Sequence, residues 1–215
     1  MIGTRFRPDW KEEARMTAKT ALYKLKTDTR NFLRANLVVC AGGAVSAQRP
    51  FSFGHHGAYV GPRAGVNEVF TFTTIPLNNS EKPVCDNVRM IKNSEALNLA
   101  SIETYTLTAG CELMITGQLS GCAFCVVQQG NTLTVAHVQP GGLRNMDGTQ
   151  LKAALVNAGR LTGIAAPLTA VYGRGDYNSH AYVIGVCRTG SWELWGQSVS
   201  GPGESASILN VTQIA

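Results

Sequence analysis

Residues 116–137 read TGQLSGCAFCVVQQGNTLTVAH, and this stretch is the clearest indication of a β fold in the chain. It contains two β-patterned runs, 122–128 and 132–138, separated by the turn signal Gly130-Asn131. In the second run Leu133, Val135 and His137 alternate, so they would share one face of a strand. The pattern predicts an antiparallel hairpin, in which the end of the second strand returns beside the start of the first.

The composition of the whole chain agrees with a sheet-rich protein. Charged residues make up 15% of the chain and 23 of its 215 residues are glycine, which favours strands and turns over a helical bundle. A helix predicted over 147–160, with Asp147 as its N-cap, interrupts the strands. We expect an α+β fold, a mixed β-sandwich with peripheral helices, whose body spans 37–215. The predicted strands are 66–75, 84–92, 102–108, 112–116, 122–128, 132–138, 168–172, 180–188, 191–196 and 207–213.

The first 36 residues differ from this body. Residues 1–35 contain nine basic and four acidic side chains, which accounts for the entire net charge of +5. Asp9 and Glu12 suggest a capping box, and apolar residues recur at helical spacing, so we predict a basic amphipathic helix over 9–35. This helix would pack on the body or lead into it, with an acidic partner or a membrane surface as its candidate contact. The neutral body is not expected to bind nucleic acid.

The cysteines and the apolar segments bear on where the protein works. The six cysteines have no regular spacing and the chain needs no disulfide framework, so we expect reduced thiols. Residues 37–45 are apolar and precede Ser46-Ala47, as in a signal peptide, but the basic segment ahead of them is far too long. No cleavable signal peptide is therefore expected.

Cys122 and His137 form the candidate catalytic pair. Cys122 follows Ser120 and Gly121 at the end of a loop, where the sulfur and nearby backbone N–H groups would be exposed together. An imidazole beside the thiol could hold it as a thiolate and later deliver a proton. From spacing alone, ordinary packing of the two residues remains open, because Cys is among the most buried residue types.

A metal or dithiol site is a second interpretation of the same stretch. Cys122 and Cys125 spell C-x-x-C, and Cys111 and His137 would add two further zinc ligands. Positions three apart on a strand face opposite ways, however, so Cys125 should point away from Cys122. We therefore expect no metal and no cofactor, and assign Cys111 and Cys125 to packing.

The motif around Cys122 resembles the active site of the glutamine-deamidating toxins, the family that includes Burkholderia lethal factor and cytotoxic necrotizing factor. In that family an L-S-G-C motif, here Leu119 to Cys122, supplies the nucleophile, and a His follows after a similar interval, here His137. Thr116, six residues before the cysteine, also matches. The length of the chain is similar to that of the lethal factor, and the basic N-terminal helix is a departure.

The resemblance implies a single catalytic domain over 37–215 that converts a glutamine of a host target protein to glutamate. Cys122 would be the nucleophile and His137 the acid and base, while Thr116 would orient His137. The loop residues Ser120 and Gly121 would help to form the oxyanion site. The family also implies a host regulatory protein as substrate, of the small GTPase or translation factor class, and a secreted bacterial effector that acts in the host cytosol.

Three other activities use the same features. A cysteine protease would need the same Cys-His pair but must admit an extended main chain. A transglutaminase would pass the same thioester to an amine. A non-enzymatic binding module would use the basic helix and leave Cys122 inert.

Overall fold

The computed structural model of the chain describes residues 15–55, 66–92, 102–140, 147–161 and 163–215. The described helices are α1 (Ala18–Thr27), α2 (Thr29–Ala35) and α3 (Gly148–Ala158), with a short 3-10 helix at Gly203–Ser205. The described strands are β1 (Asn36–Cys40), β2 (Ala47–Pro50), β3 (Ser52–Gly54), β4 (Glu68–Thr73), β5 (Val84–Val88), β6 (Met90–Lys92), β7 (Tyr105–Thr106), β8 (Leu113–Thr116), β9 (Ala123–Gln129), β10 (Thr132–Gln139), β11 (Ala170–Tyr172), β12 (His180–Arg188), β13 (Ser191–Val199) and β14 (Ile208–Gln213).

These strands form three sheets that stack in layers. The central sheet has six strands in the order β14-β13-β12-β8-β5-β2, and a five-stranded sheet, β11-β9-β10-β6 with β7 also paired to β10, packs on one of its faces. Side chains such as Met114, Val183 and Phe124 fill the space between these two sheets. Helix α3 covers the outer face of the five-stranded sheet with Leu151 and Leu155. The predicted fold class, an α+β sandwich with peripheral helices, is confirmed.

The other face of the central sheet packs against the N-terminal part of the chain. A three-stranded sheet, β1-β4-β3, lies here with α1 and α2, and their shared core includes Leu25, Phe32, Phe70 and Ile184. Residues 37–45, which resemble the apolar part of a signal peptide, begin with the buried strand β1, which pairs in parallel with β4. Among the described residues, no helix is long and apolar enough to cross a membrane.

The single helix predicted over 9–35 is wrong for the described part of that segment. Thr17 is extended and caps α1, which therefore begins only at Ala18. Asp28, with φ of −139° and ψ of 58°, interrupts the helical backbone before α2. The Asp28 side chain accepts a hydrogen bond from the Asn31 side chain at 3.2 Å, and the apolar periodicity of the segment continues across the break. The predicted cap Asp9 lies outside the described residues.

Gln197 of β13 attaches α2 and β1 to the central sheet. Its side chain is fully buried; its Nε2 donates to the carbonyl oxygens of Leu33 at 2.6 Å and Asn36 at 2.8 Å, and its Oε1 accepts from the N–H of Val38 at 3.0 Å. The buried amide thus satisfies three backbone groups at the junction between the helix and the strand. The N-terminal helices therefore share hydrogen bonds as well as core packing with the sandwich.

The predicted strand 84–92 divides into two strands that belong to different sheets. β5 pairs in parallel with β8 in the central sheet and ends at Val88. β6 begins at Met90 and pairs in parallel with β10 in the five-stranded sheet. Continuous β patterning cannot reveal such a crossing, because the pattern reports burial and not the partner strand. The crossing brings Val88 and Met90 to the candidate site.

Candidate active site

Cys122 lies at the end of a loop, directly before β9. Gly121 has φ of +81°, a left-handed backbone that a residue with a side chain rarely adopts, so the sharp approach to the cysteine requires glycine. The side chain of Cys122 lies in the apolar layer between the two large sheets, together with Phe124 and Val126 of β9. The predicted exposure of the sulfur is wrong, because Cys122 is only 1% exposed, whereas Ser120 close to it in the chain is exposed.

Two neighbouring elements hold the backbone around the cysteine. The hydroxyl of the buried Tyr177 donates a 2.7 Å hydrogen bond to the carbonyl oxygen of Cys122. Gly148, the first residue of α3, packs so closely that an added Cβ would lie 2.5 Å from the carbonyl oxygen of Gly121. The Asp176 carboxylate accepts from Lys152 of α3 at 2.6 Å, which anchors the loop that carries Tyr177. The conformation of the loop is therefore determined by packing from outside it.

His137 lies on the same face of the five-stranded sheet as Cys122. In the antiparallel pairing of β9 and β10, His137 is directly opposite Phe124, which is two residues beyond Cys122. Cys122 and His137 thus occupy diagonal positions, at which side chains remain close enough to interact. His137 is completely buried and faces the central sheet.

The hydrogen bonds of Thr116 assign the tautomer of His137. Thr116 Oγ1 lies 2.6 Å from the carbonyl oxygen of Val88 and 2.7 Å from His137 Nδ1. A carbonyl oxygen can only accept, so the single hydroxyl proton points to Val88 and Nδ1–H must donate to Oγ1. In the neutral imidazole Nε2 then carries the lone pair. Nε2 is buried and has no hydrogen-bond partner in the described structure.

Burial keeps both members of the pair neutral. Desolvation lowers the pKa of His137 from 6.5 to about 3. Desolvation also raises the pKa of the Cys122 thiol, although a hydrogen bond from the backbone of Ser120 acts in the opposite direction. The sequence had suggested a thiolate beside the imidazole, whereas burial in the structure favours a thiol and a neutral imidazole.

In this structure the Cys122 sulfur contacts Met90 rather than His137. Met90 Sδ lies 3.7 Å from Cys122 Sγ, and Met90 is directly opposite His137 in the pairing of β6 with β10. Two cavities of about 650 and 360 Å³ lie elsewhere on the molecule, and neither is lined by Cys122 or His137.

The other two sulfurs of the zinc interpretation lie apart from this pair. Cys125 is buried on the opposite face of β9, among the side chains that contact α3, as its spacing from Cys122 predicted. The Cys111 thiol donates to backbone carbonyl oxygens of Val84 and Leu113 at 3.5 and 3.3 Å. Among the described residues, no group of three or more His, Cys, Asp or Glu side chains is arranged to hold a metal ion.

The structure adds three residues to the predicted set of Thr116, Ser120, Gly121, Cys122 and His137. They are Val88, whose carbonyl orders the Thr116 hydroxyl, Met90, which contacts the sulfur, and Tyr177, which holds the backbone of Cys122. Val88 and Met90 reach the site through an unexpected change of sheet. Tyr177 lies in a glycine-rich loop without periodicity, so no sequence signal indicated its contact.

The chain is similar to the C-terminal domain of CNFy from Yersinia pseudotuberculosis, with 11% sequence identity and a TM-score of 0.39. The alignment covers 92% of this chain and 99% of that domain. No family model matches the chain, and no curated protein matches it.

Proposed function

We propose that this protein is a toxin-like glutamine deamidase, which converts a specific glutamine of a host protein to glutamate through a thioester on Cys122. The observation that carries the proposal is the lone pair of His137 Nε2, which is fixed by Thr116 and left without a partner on the sheet face that also carries Cys122. A buried polar atom without a partner costs stability, typically about 1–3 kcal/mol. A role in a reaction is one reason for which a protein retains such a cost.

The reaction follows from the assigned protonation states. His137 Nε2 takes the proton of the Cys122 thiol as Sγ attacks the carboxamide carbon of the substrate. Backbone N–H groups near Gly121 and Cys122 stabilise the negative oxygen of the tetrahedral intermediate. The carbon–nitrogen bond then breaks, and ammonia leaves with the proton from His137. Nε2 next activates a water molecule, whose attack on the thioester releases glutamate and restores the thiol.

Burial of the nucleophile favours a side-chain amide over a peptide bond as substrate. Cys122 is 1% exposed, and the partly exposed Met90 lies against its sulfur. One narrow side chain can reach such a sulfur after a small displacement, whereas a protease must admit a length of extended main chain. An amine that reached the thioester before water would give transglutamination at the same site.

The target proposed from the sequence motif is a regulatory protein in the cytosol of a host cell, with this protein delivered there as a bacterial effector. Conversion of glutamine to glutamate would place a new negative charge on the target. In a small GTPase or a translation factor, such a charge can disturb hydrolysis or a conformational step.

The proposal is tested with a glutaminyl peptide panel and candidate host proteins, incubated with the wild type and with Cys122→Ser. We expect the wild type to release ammonia and to produce glutamate, detected by peptide mass spectrometry. The serine variant should be inactive, because its hydroxyl is far less acidic than a thiol and a single histidine activates it poorly.

Cys125→Ser is the matched control, since Cys125 lies on the opposite face of the same strand. It should keep nearly the wild-type rate if it remains folded. Equal loss of activity in folded Cys122→Ser and Cys125→Ser would contradict the proposal and favour a site that uses both sulfurs. Cleavage of the peptide backbone by the wild type would favour the protease instead.

Thr116 is expected to act as a positioning residue. Thr116→Val removes the hydroxyl that receives the Nδ1 proton, so the imidazole is no longer held in one tautomer and kcat should fall by about 10²-fold, with KM little changed. The measurement is steady-state ammonia release across a range of peptide concentrations and pH.

Thr116→Ser is the control for this prediction, because it retains the hydroxyl between His137 and the Val88 carbonyl. Its kcat should return close to that of the wild type. If folded Thr116→Val and Thr116→Ser were equally active, the Thr116 hydroxyl would have no part in orienting His137.

A further inference from the structure

Met90 is partly exposed at the surface of the protein and also contacts the buried candidate nucleophile, Cys122. The residue is 42% exposed, yet its Sδ lies 3.7 Å from the Sγ of Cys122, which is 1% exposed. Met90 pairs directly with His137, so both side chains leave the same face of the five-stranded sheet. A partly exposed apolar side chain has therefore inserted its sulfur against the thiol.

The shape of this side chain matches that of glutamine. In methionine two methylene groups lead to the sulfur, and in glutamine two methylene groups lead to the carboxamide carbon. A glutamine side chain that followed the path of Met90 would therefore bring its carboxamide carbon to the place of Sδ. At 3.7 Å from Cys122 Sγ, that place is slightly beyond the roughly 3–3.5 Å at which reacting atoms are poised for attack.

We propose that Met90 occupies the slot for the substrate side chain in the free protein and that the glutamine of the target displaces it. This inference rests on the proposed function and identifies where the substrate enters. Methionine is suited to the role, because its unbranched side chain has three rotatable bonds and moves at little cost. The exposed part of Met90 gives it solvent to move into.

The slot accounts for selection among amide side chains. Asparagine has one methylene group fewer than glutamine, so its carboxamide carbon would stop short of the Met90 Sδ position. A branched side chain would not follow the unbranched path. The substrate class is therefore a surface glutamine on an accessible segment, and the matching asparaginyl peptide should be turned over at least about tenfold more slowly.

The direct test places the substrate group in the slot from within the chain, by the substitution Met90→Gln. Cys122 Sγ would attack the new carboxamide, ammonia would leave, and water would then resolve the thioester to a carboxylate at position 90. We expect the purified variant to carry this amide-to-acid change at position 90, or the thioester between position 90 and Cys122. Mass spectrometry of the intact chain and of its peptides detects either product.

Three control variants test whether the change at position 90 requires the Cys122 thiol and the length of a glutamine side chain. Met90→Gln combined with Cys122→Ser should keep its amide, and Met90→Asn should keep its amide because it is too short. Met90→Leu fills the slot without a reactive group. If wild-type protein converts the glutaminyl peptide while folded Met90→Gln stays unmodified, Met90 does not occupy the substrate slot.

A second measurement separates this inference from the proposed function. The rate at which iodoacetamide alkylates Cys122 is compared in the wild type, Met90→Leu and Met90→Ala. We expect Cys122 to react roughly tenfold faster in Met90→Ala. This is the effect of raising the fraction of molecules with an accessible thiol from about a tenth to nearly all. If no peptide is ever deamidated but Met90→Ala alkylates faster, Met90 covers the thiol and the proposed function fails. Equal alkylation rates would overturn the inference that Met90 blocks access to Cys122.

Discussion

His137→Leu should strongly reduce the proposed deamidation and at the same time make the folded protein more resistant to acid. Loss of the only imidazole assigned to both proton transfers should reduce the rate by about 10²–10⁴-fold. Leucine has a similar volume, and the Thr116 hydroxyl keeps its bond to Val88. Near pH 7.5 the free energy of unfolding should therefore remain within about 1 kcal/mol of the wild type, because the substitution also removes the unpartnered Nε2.

The acid resistance follows from the lowered pKa of the buried imidazole. His137 titrates at 6.5 when unfolded and at about 3 when folded. Above pH 6.5 neither state binds the proton, so the difference has no effect on stability. As the pH falls from 6.5 towards 3, the unfolded chain binds a proton that the folded chain excludes, and the free energy of unfolding decreases. The free energy of unfolding of His137→Leu does not decrease in this way. By pH 5 it should therefore exceed that of the wild type by about 2 kcal/mol more than it does near pH 7.5.

Urea unfolding of the wild type and of His137→Leu at a series of pH values measures this difference in the free energy of unfolding. Cys125→Ala is a suitable control, because burial raises the pKa of that thiol to about 12 and it stays neutral throughout the range. Its loss of stability should be independent of pH. A constant difference between His137→Leu and the wild type from pH 7 to pH 5 would mean that His137 is not buried as a neutral base.

Gln197→Met should strongly destabilise the protein, although methionine has nearly the same volume. The substitution leaves three backbone groups without partners, namely the carbonyls of Leu33 and Asn36 and the N–H of Val38. Each unpaired buried group costs about 1–3 kcal/mol, so we expect a loss of at least about 3 kcal/mol. That is a large part of the 5–15 kcal/mol that typically stabilises a folded domain.

Chemical denaturation measures this loss, with Gln213→Met on the exposed surface of β14 as the control. The control should differ from the wild type by less than about 0.5 kcal/mol. A loss below about 1 kcal/mol in Gln197→Met would show that the junction of α2 and β1 does not depend on the buried amide. A large loss would show that the buried amide of Gln197 stabilises the junction of α2 and β1.

The hairpin that carries the candidate pair was largely predictable from local sequence. Gly130-Asn131 marks its turn, and alternation along β10 puts His137 on the same face as Leu133 and Val135. The fold class followed from the same kind of evidence, since strands and turns leave periodic signals. The opposite placement of Cys125 also followed from the two-residue period of a strand.

Local sequence could not predict contacts that join distant segments. Three such features depend on three-dimensional packing. They are the division of 84–92 between two sheets, the hydrogen bond from Tyr177 to the Cys122 carbonyl oxygen, and the approach of Gly148 to Gly121. The break of the N-terminal helix at Asp28 was missed for a different reason, because apolar spacing continued across it. The catalytic roles of Cys122, His137, Thr116, Ser120 and Gly121 stay predictions.

The amino-acid sequence by itself determined the strands, the hairpin and the chemical groups available for a reaction, because side-chain periodicity and turn residues act over a few neighbours. Only the tertiary structure decided the protonation of those groups. Thr116 and Val88 orient His137 across the space between two sheets. Burial in that space excludes the water that would stabilise the charged forms of Cys122 and His137, so both stay neutral. Met90 reached the thiol through the same crossing of the chain, since a contact between sheets depends on which strands become neighbours and leaves no local pattern.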